Sequence, residues 1–201
     1  MNHSHCNVEH FHGQAIMSIL SEVFQPYHSQ IAEALELSEL RLGRWKVPDS
    51  DYHWLMYFWQ VAIMPAFDGM GLMTIIHTQR FDDSGELGRG KWKGLFAIPN
   101  RERQELKEIA VATIPNDALW AELNQIDLTE NTSGYSLDGI NYHLAIKTNE
   151  FAAEFTFDNP ESLWLKRVER ALLHQMERIA KTSQSQAAHE YLAMWKNYAE
   201  R

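Results

Sequence analysis

The fold is decided by residues 134–181, which read GYSLDGINYHLAIKTNEFAAEFTFDNPESLWLKRVERALLHQMERIAK. From Tyr142 to Thr148, two sets of residues alternate with the period of two that is typical of a half-buried strand. Asp138-Gly139 before this strand and Asn149-Glu150 after it are turn signals. The phenylalanines of 151–157 then supply a partner strand. This segment is therefore predicted to form a β-hairpin.

A long amphipathic helix is predicted directly after the hairpin. Asn159 is a suitable helix N-cap, Pro160 suits the first helical position, and Glu161 favours the positive end of the helix dipole. One narrow stripe of the helix is apolar, and its members are Leu165, Val168, Leu172, Met176 and Ile179. A polar trio lies opposite and is interpreted as a solvated face rather than as a proton relay; it comprises Arg170, His174 and Glu177.

The rest of the chain alternates between helical and strand patterns. Residues 14–42 have helical spacing, which Pro26 is expected to kink or split. Strand-like segments follow at Leu72–Thr78, Trp92–Ile98 and Leu106–Ile114, and Glu39–Val47 contains a further candidate. Helices are predicted after Pro115 and after Ser183, where Ser183 and Gln186 fit a capping box.

The segment 51–64 is apolar nearly throughout, and its periodicity does not separate a buried helix from a central strand. On a helical wheel, His53 and Gln60 share one side of this segment. They are therefore candidates for lining a ligand pocket. The alternative is that both are core polar groups with hydrogen-bond partners.

Together these patterns predict an α+β fold. We expect an antiparallel sheet of roughly five to six strands packed by several helices, including a long C-terminal helix after the last hairpin. No linker rich in proline, glycine or serine divides the chain. The predicted organisation is therefore a His-rich tail over 1–13 and a single domain over 14–201.

Composition restricts the classes of function. The 201 residues carry a formal net charge of −9, which argues against nucleic acid as a partner because phosphate binding relies on clustered Lys and Arg. The longest apolar run, Trp54–Phe67, is too short to span a bilayer, so no membrane association is expected. A single cysteine, Cys6, fits a reducing compartment. We expect a cytoplasmic, acidic and tryptophan-rich protein of undetermined oligomeric state.

The N-terminal tail contains four of the ten histidines of the chain. Its potential metal ligands are His3, His5, Cys6, His10 and His12. Imidazoles and a thiolate are ligands that Zn²⁺ and copper prefer, and a free amino terminus with histidine in third place suits Cu²⁺ or Ni²⁺. The close spacings do not match structural zinc patterns, so an incidental tail is the alternative reading.

No catalytic motif of known spacing is present. The segment Gly85–Lys91 approaches a phosphate loop, but Trp92 stands where Ser or Thr is needed, and a hairpin loop is expected. No cofactor is therefore expected. A site assembled from residues distant in the sequence remains open, and its candidate members are His53, His77, His143 and Asp138.

Two functions are compatible with these observations. The first is a non-enzymatic protein-binding domain, such as an inhibitor or a toxin-neutralising partner, because the chain is acidic and rich in Trp and Tyr. The second is a small-ligand-binding protein or enzyme with a pocket lined by His53 and Gln60.

Overall fold

A computed structural model describes residues 19–46, 52–81, 90–115, 139–148, 152–160 and 162–199. In chain order, the helices and strands of these residues are α1 (Ile19–Phe24), a 3₁₀ turn (Gln25–Tyr27), α2 (His28–Ala34), β1 (Gly43–Lys46), β2 (Tyr52–Pro65), β3 (Gly71–Phe81), β4 (Lys91–Asn100), β5 (Glu105–Ile114), β6 (Ile140–Thr148), β7 (Ala152–Asp158), α3 (Leu163–Ser183) and α4 (Gln186–Ala199).

All strands belong to one antiparallel sheet. Its order is β5-β4-β3-β2-β6-β7, and β1 pairs with the first part of β2. The predicted α+β class is confirmed, as are the hairpin β6–β7 and the long helix after it. The described sheet has seven strands rather than five to six, because the short β1 also forms a ladder with β2.

The ambiguous segment 51–64 is a strand. Residues Tyr52–Pro65 form β2, which pairs with β3 along one side and with β6 along the other. Side chains from β2 are buried on both faces of the sheet: Val61 lies in one core cluster and Ala62 in the other. This burial on both faces removes the alternation of polar and apolar residues that marks a half-exposed strand.

Helices cover both faces of the sheet. On one face, α3 packs against β5 and β4, and α4 packs beside α3. On the other face, the segment from α1 to α2 covers a second apolar cluster that includes Phe24, Phe58 and Leu95. The predicted apolar stripe of α3 is fully buried in the first cluster.

The start of α3 differs from the prediction. The N-cap is Ser162, whose Oγ accepts a hydrogen bond from the backbone N–H of Leu165 at 3.4 Å. Asn159 instead has a positive φ of 35°. Its Oδ1 accepts a hydrogen bond from the Ile140 N–H at 2.9 Å. The Asn159 side chain therefore bonds the start of β6, although the sequence predicted that it would cap the helix.

Pro26 splits the first helical segment as predicted, because it lies in the 3₁₀ turn between α1 and α2. The predicted helix after Pro115 and the tail 1–13 lie outside the described residues, and the single-domain organisation stays a prediction. Within the described ranges, no helix has the length and apolar character needed to cross a bilayer.

Close helix–sheet packing at Gly94 gives a direct test of this arrangement. A Cβ added to Gly94 would lie 2.7 Å from Ile179 of α3, whereas one added to Gly69 meets nothing within 4 Å. We expect Gly94→Ala to lower the free energy of unfolding by about 1–3 kcal/mol through overpacking. Gly69→Ala serves as the matched control. Equal urea stability of the two variants would contradict the packing of α3 on β4.

Candidate functional site

Gln60 lies at the centre of the sheet face that α1 and α2 cover. It is only 2% exposed. Its Cα partners are Thr74 on β3 and Ala145 on β6. Side chains directly opposite one another in antiparallel strands have Cβ atoms about 5 Å apart. Thr74, which is fully buried, is therefore an immediate neighbour of Gln60.

Several polar atoms of this region are buried without a hydrogen-bond partner. Within the described part of the chain, they include Nε2 of Gln60, Oγ1 of Thr74 and Nε2 of His28. Buried polar groups are normally paired, and each unpaired group costs about 1–3 kcal/mol of desolvation. On the other face of the sheet, the described residues include one further buried side chain with unpaired amide atoms, that of Gln175 on α3.

His28, the first residue of α2, brings an imidazole to Gln60. Burial lowers the pKa of His28, the positive charge of Lys147 lowers it further, and a hydrogen bond with the Gln60 side chain acts in the opposite direction. We infer that this bond uses Nδ1 of the imidazole, because Nε2 has no partner. In the neutral ring that the lowered pKa favours, Nε2 is then an acceptor.

Two residues of β6 flank the site. His143, Ala145 and Lys147 alternate with residues of the opposite core, so they share the face of Gln60. Nδ1 of His143 is buried without a partner in the described structure, and burial lowers the pKa of this imidazole. Nζ of Lys147 lies 5.7 Å from the centroid of the Phe58 ring. We call His28, Gln60, Thr74, His143 and Lys147 the Gln60 site.

The structure does not bring His53 to this site. His53 pairs with Arg80 and Gln60 pairs with Thr74, so their backbone positions are six residues apart along β3. At about 3.3 Å per residue, that separation is roughly 20 Å. The helical wheel that grouped His53 with Gln60 does not apply, because the segment is a strand.

The other candidates for a dispersed site fall in different places. His143 is part of the Gln60 site. His77 lies on the opposite face of the sheet, where its ring stacks on Trp92 with centroids 4.6 Å apart. Asp138 lies outside the described residues.

The candidate metal ligands of the tail are also outside the described residues; they are His3, His5, Cys6, His10 and His12. In the remainder of the chain that the structure describes, no group of three or more His, Cys, Asp or Glu side chains is arranged to hold a metal ion. The tail remains the sequence-based candidate for metal binding.

Sequence reasoning identified Gln60 and considered His143, but it missed His28, Thr74 and Lys147. The alternation of residues along β6 indicates that His143, Ala145 and Lys147 share one face of the sheet. The approach of α2 to β2 was not predictable, because no local pattern relates residues 28 and 60.

A second buried polar cluster lies between α3, α4 and β6. The Tyr142 hydroxyl donates a hydrogen bond to the Glu169 carboxylate and accepts one from Nε1 of Trp195 at 2.6 Å. Burial raises the pKa of Glu169, an effect that the bond from Tyr142 and the charge of Lys166 partly offset. In contrast to the Gln60 site, these groups satisfy one another.

An open concavity of about 390 Å³ lies at one end of the sheet. It is lined by Met64, Pro65, Asp68, Gly69, Met70, Pro99 and Arg101. Phe67, in the same β2–β3 turn, is 76% exposed. We call this region, with Phe67, the Phe67 surface.

Comparison with models of protein families, with curated proteins and with solved structures found no match to this chain.

The buried carboxyl of Glu169 predicts a pH-dependent stability. Because its pKa is raised in the folded protein, its stabilising contribution is fully present below about 4.5 and is lost as pH rises through the folded-state pKa. The Glu169→Gln variant keeps an acceptor for Tyr142 without the titrating proton. We expect the stability of the wild type relative to this variant to fall as pH rises from 4.5, as measured by urea unfolding across pH. Parallel profiles would contradict this.

Proposed function

We propose that the protein binds a small polar ligand at the Gln60 site. The supporting observation is the set of unpartnered polar atoms on Gln60, Thr74 and His28, which lie beside the apolar cluster beneath α1 and α2. A ligand supplies the hydrogen bonds that these buried groups lack, which gives binding both affinity and orientation. This proposal keeps Gln60 from the sequence-based hypothesis and replaces His53 by His28.

The residues of the Gln60 site differ in accessibility. Gln60 and Thr74 are buried, whereas His28, His143 and Lys147 are only partly buried. The three partly buried residues therefore provide the edge from which an occupant reaches the buried amide and hydroxyl. The neighbours of Gln60 on this face are small, since its partner on β6 is Ala145 and the next residue of β2 on this face is Ala62.

Internal water is the alternative occupant. Buried waters typically satisfy polar groups with two to four hydrogen bonds and are part of the folded structure. If water completes the Gln60 site, replacing the polar groups by apolar ones removes stabilising bonds. If instead the groups have no hydrogen-bond partner until a ligand binds, the same replacement removes polar atoms whose burial costs free energy, and the free protein becomes no less stable.

Apolar substitution separates these two cases. We expect Thr74→Val to unfold at the same or higher urea concentration than the wild type, because the change approximately conserves volume and removes an unpaired hydroxyl. The double variant Gln60→Leu, Thr74→Val also removes the bond between Gln60 and His28, so it is used for the binding measurements and not for this comparison of stability. Thr78→Val is the matched control on the same strand and face. The Thr78 hydroxyl donates to the Lys91 carbonyl at 3.5 Å, so its loss should cost up to about 1 kcal/mol.

Binding itself is tested by a thermal-shift screen of small polar metabolites against the wild type and the double variant. Ligands of the Gln60 site are expected to raise the Tm of the wild type and not that of the variant. Two outcomes contradict the proposal: no compound stabilises the wild type, or every stabilising compound acts equally on the variant.

The Phe67 surface favours a second candidate function, namely protein binding. Phe67 is 76% exposed and is followed in the chain by Asp68, Gly69 and Met70, which line the concavity, so its ring adds apolar area to this patch. The proline and methionine side chains of the concavity offer apolar contact, while Asp68 and Arg101 supply polar groups. The acidic character of the chain favours a partner with a basic contact surface.

Protein binding through the Phe67 surface predicts a specific loss on substitution. In affinity purification from the native cell, Phe67→Ser should lose a stoichiometric partner that the wild type retains. Leu163→Ser is the control, because Leu163 is similarly exposed at 69% but starts α3. Retention of the partner by Phe67→Ser, or equal loss in both variants, would contradict a role for this surface.

A further inference from the structure

The groups around Ala145 have a common chemical character. On β6, His143 and Lys147 lie two residues to either side of Ala145, and Gln60 lies across from it on β2. The Gln60 amide nitrogen and the Thr74 hydroxyl are donors without partners in the described structure. Lys147 adds a positive charge close enough to influence His28.

These donors and the ammonium group are complementary to an anion rather than to a cation. A carboxylate offers two oxygens that accept several hydrogen bonds at once, and charged acceptors form stronger bonds than neutral ones. A ligand ammonium group would face the positive charge of Lys147 and the Gln60 amide nitrogen, which only donates; its possible acceptors are the His28 nitrogen, the Thr74 hydroxyl and, when unprotonated, Nδ1 of His143. The Gln60 amide nitrogen and the charge of Lys147 therefore favour the same class of ligand, an anion.

One nearby charge has the opposite sign. Glu154 of β7 pairs with Ala145 and is exposed. Exposed charges are screened by solvent, whereas an ammonium group at a partly buried position keeps more of its effect. The positive charge of Lys147 therefore has a larger effect than the negative charge of Glu154 on a ligand bound to Gln60 and Thr74.

We propose that the ligand of the Gln60 site carries a carboxylate, held by the Gln60 amide and the Thr74 hydroxyl and attracted by Lys147. This inference rests on the proposed ligand-binding function. It adds the chemical class of the ligand and a role for Lys147 in binding.

The test compares acetate with acetamide, which has a similar shape and no charge, and with inorganic phosphate. Binding to the full chain is followed by NMR through the imidazole C–H resonances of His28 and His143. His189, exposed on α4, is the internal control. We expect acetate to shift the resonances of His28 and His143 saturably and to leave His189 unchanged. Acetamide and phosphate should have little effect.

Three variants test which side chains determine the affinity for acetate. Lys147→Met keeps the apolar stem over Phe58 and should weaken acetate binding about three- to tenfold. Glu154→Gln should leave it unchanged or tighten it by up to about threefold. The double variant Gln60→Leu, Thr74→Val should abolish it. Urea unfolding of each variant excludes loss of folding as the cause.

The outcomes separate this inference from the proposed function. Equal binding of acetamide and acetate, a preference for phosphate, or unchanged acetate affinity in Lys147→Met overturns the carboxylate assignment. Absence of acetate binding overturns it as well. The ligand-binding function survives any of these results if neutral polar metabolites still stabilise the wild type and not the double variant, and it fails if none does.

Discussion

The simultaneous pairing of β2 with β3 and β6 is the constraint on which the rest of the structure depends. Because both sides of β2 are hydrogen-bonded along most of its length, its side chains project into two cores rather than into one core and solvent. Each core then requires its own helical cover. The amphipathic α3 with α4 seals one face, and the broken helical segment around Pro26 seals the other.

Both faces of the sheet carry buried polar groups, and in the described residues unpaired ones occur on each: on Gln175 of α3, and on Gln60 and Thr74 on the other face. Beneath α3 and α4, Tyr142 links Glu169 and Trp195 in a closed set of hydrogen bonds. Beneath α1 and α2, Gln60 and Thr74 carry polar atoms that no described residue satisfies. A satisfied network stabilises a unique core, whereas unsatisfied groups reduce stability unless an occupant completes them. The unpaired groups beneath α1 and α2 belong to neighbouring residues, and this grouping supports the proposed ligand-binding function.

Local patterns predicted much of the fold. The alternation of β6 and the apolar stripe of α3 are periodic over many residues, so neighbouring sequence contains the information that defines them. The continuous apolar run of β2 was ambiguous because burial on both faces removes its period. The boundary at Asn159 was wrong because its side chain stabilises β6 rather than the helix. Both features depend on contacts between residues that are distant in the sequence, so local patterns could not predict them.

The candidate site was less predictable than the fold. Gln60 was recognised as a polar residue in an apolar segment, but its partners are contributed by α2, β3 and β6. Thr74 has no unusual sequence context, and His28 approaches Gln60 only through tertiary packing. Sequence spacing on an assumed helix selected His53 instead. The strand geometry separates that residue from Gln60 by roughly 20 Å.

We have proposed that the polar groups of the Gln60 site bind an occupant other than water. A high-resolution diffraction structure of the protein purified from its native cell, without added small molecules, tests it most directly. If the site binds a ligand, we expect electron density for a bound organic molecule in contact with Gln60 and Thr74. Ordered waters that complete every hydrogen bond of Gln60, Thr74 and His28 would contradict it.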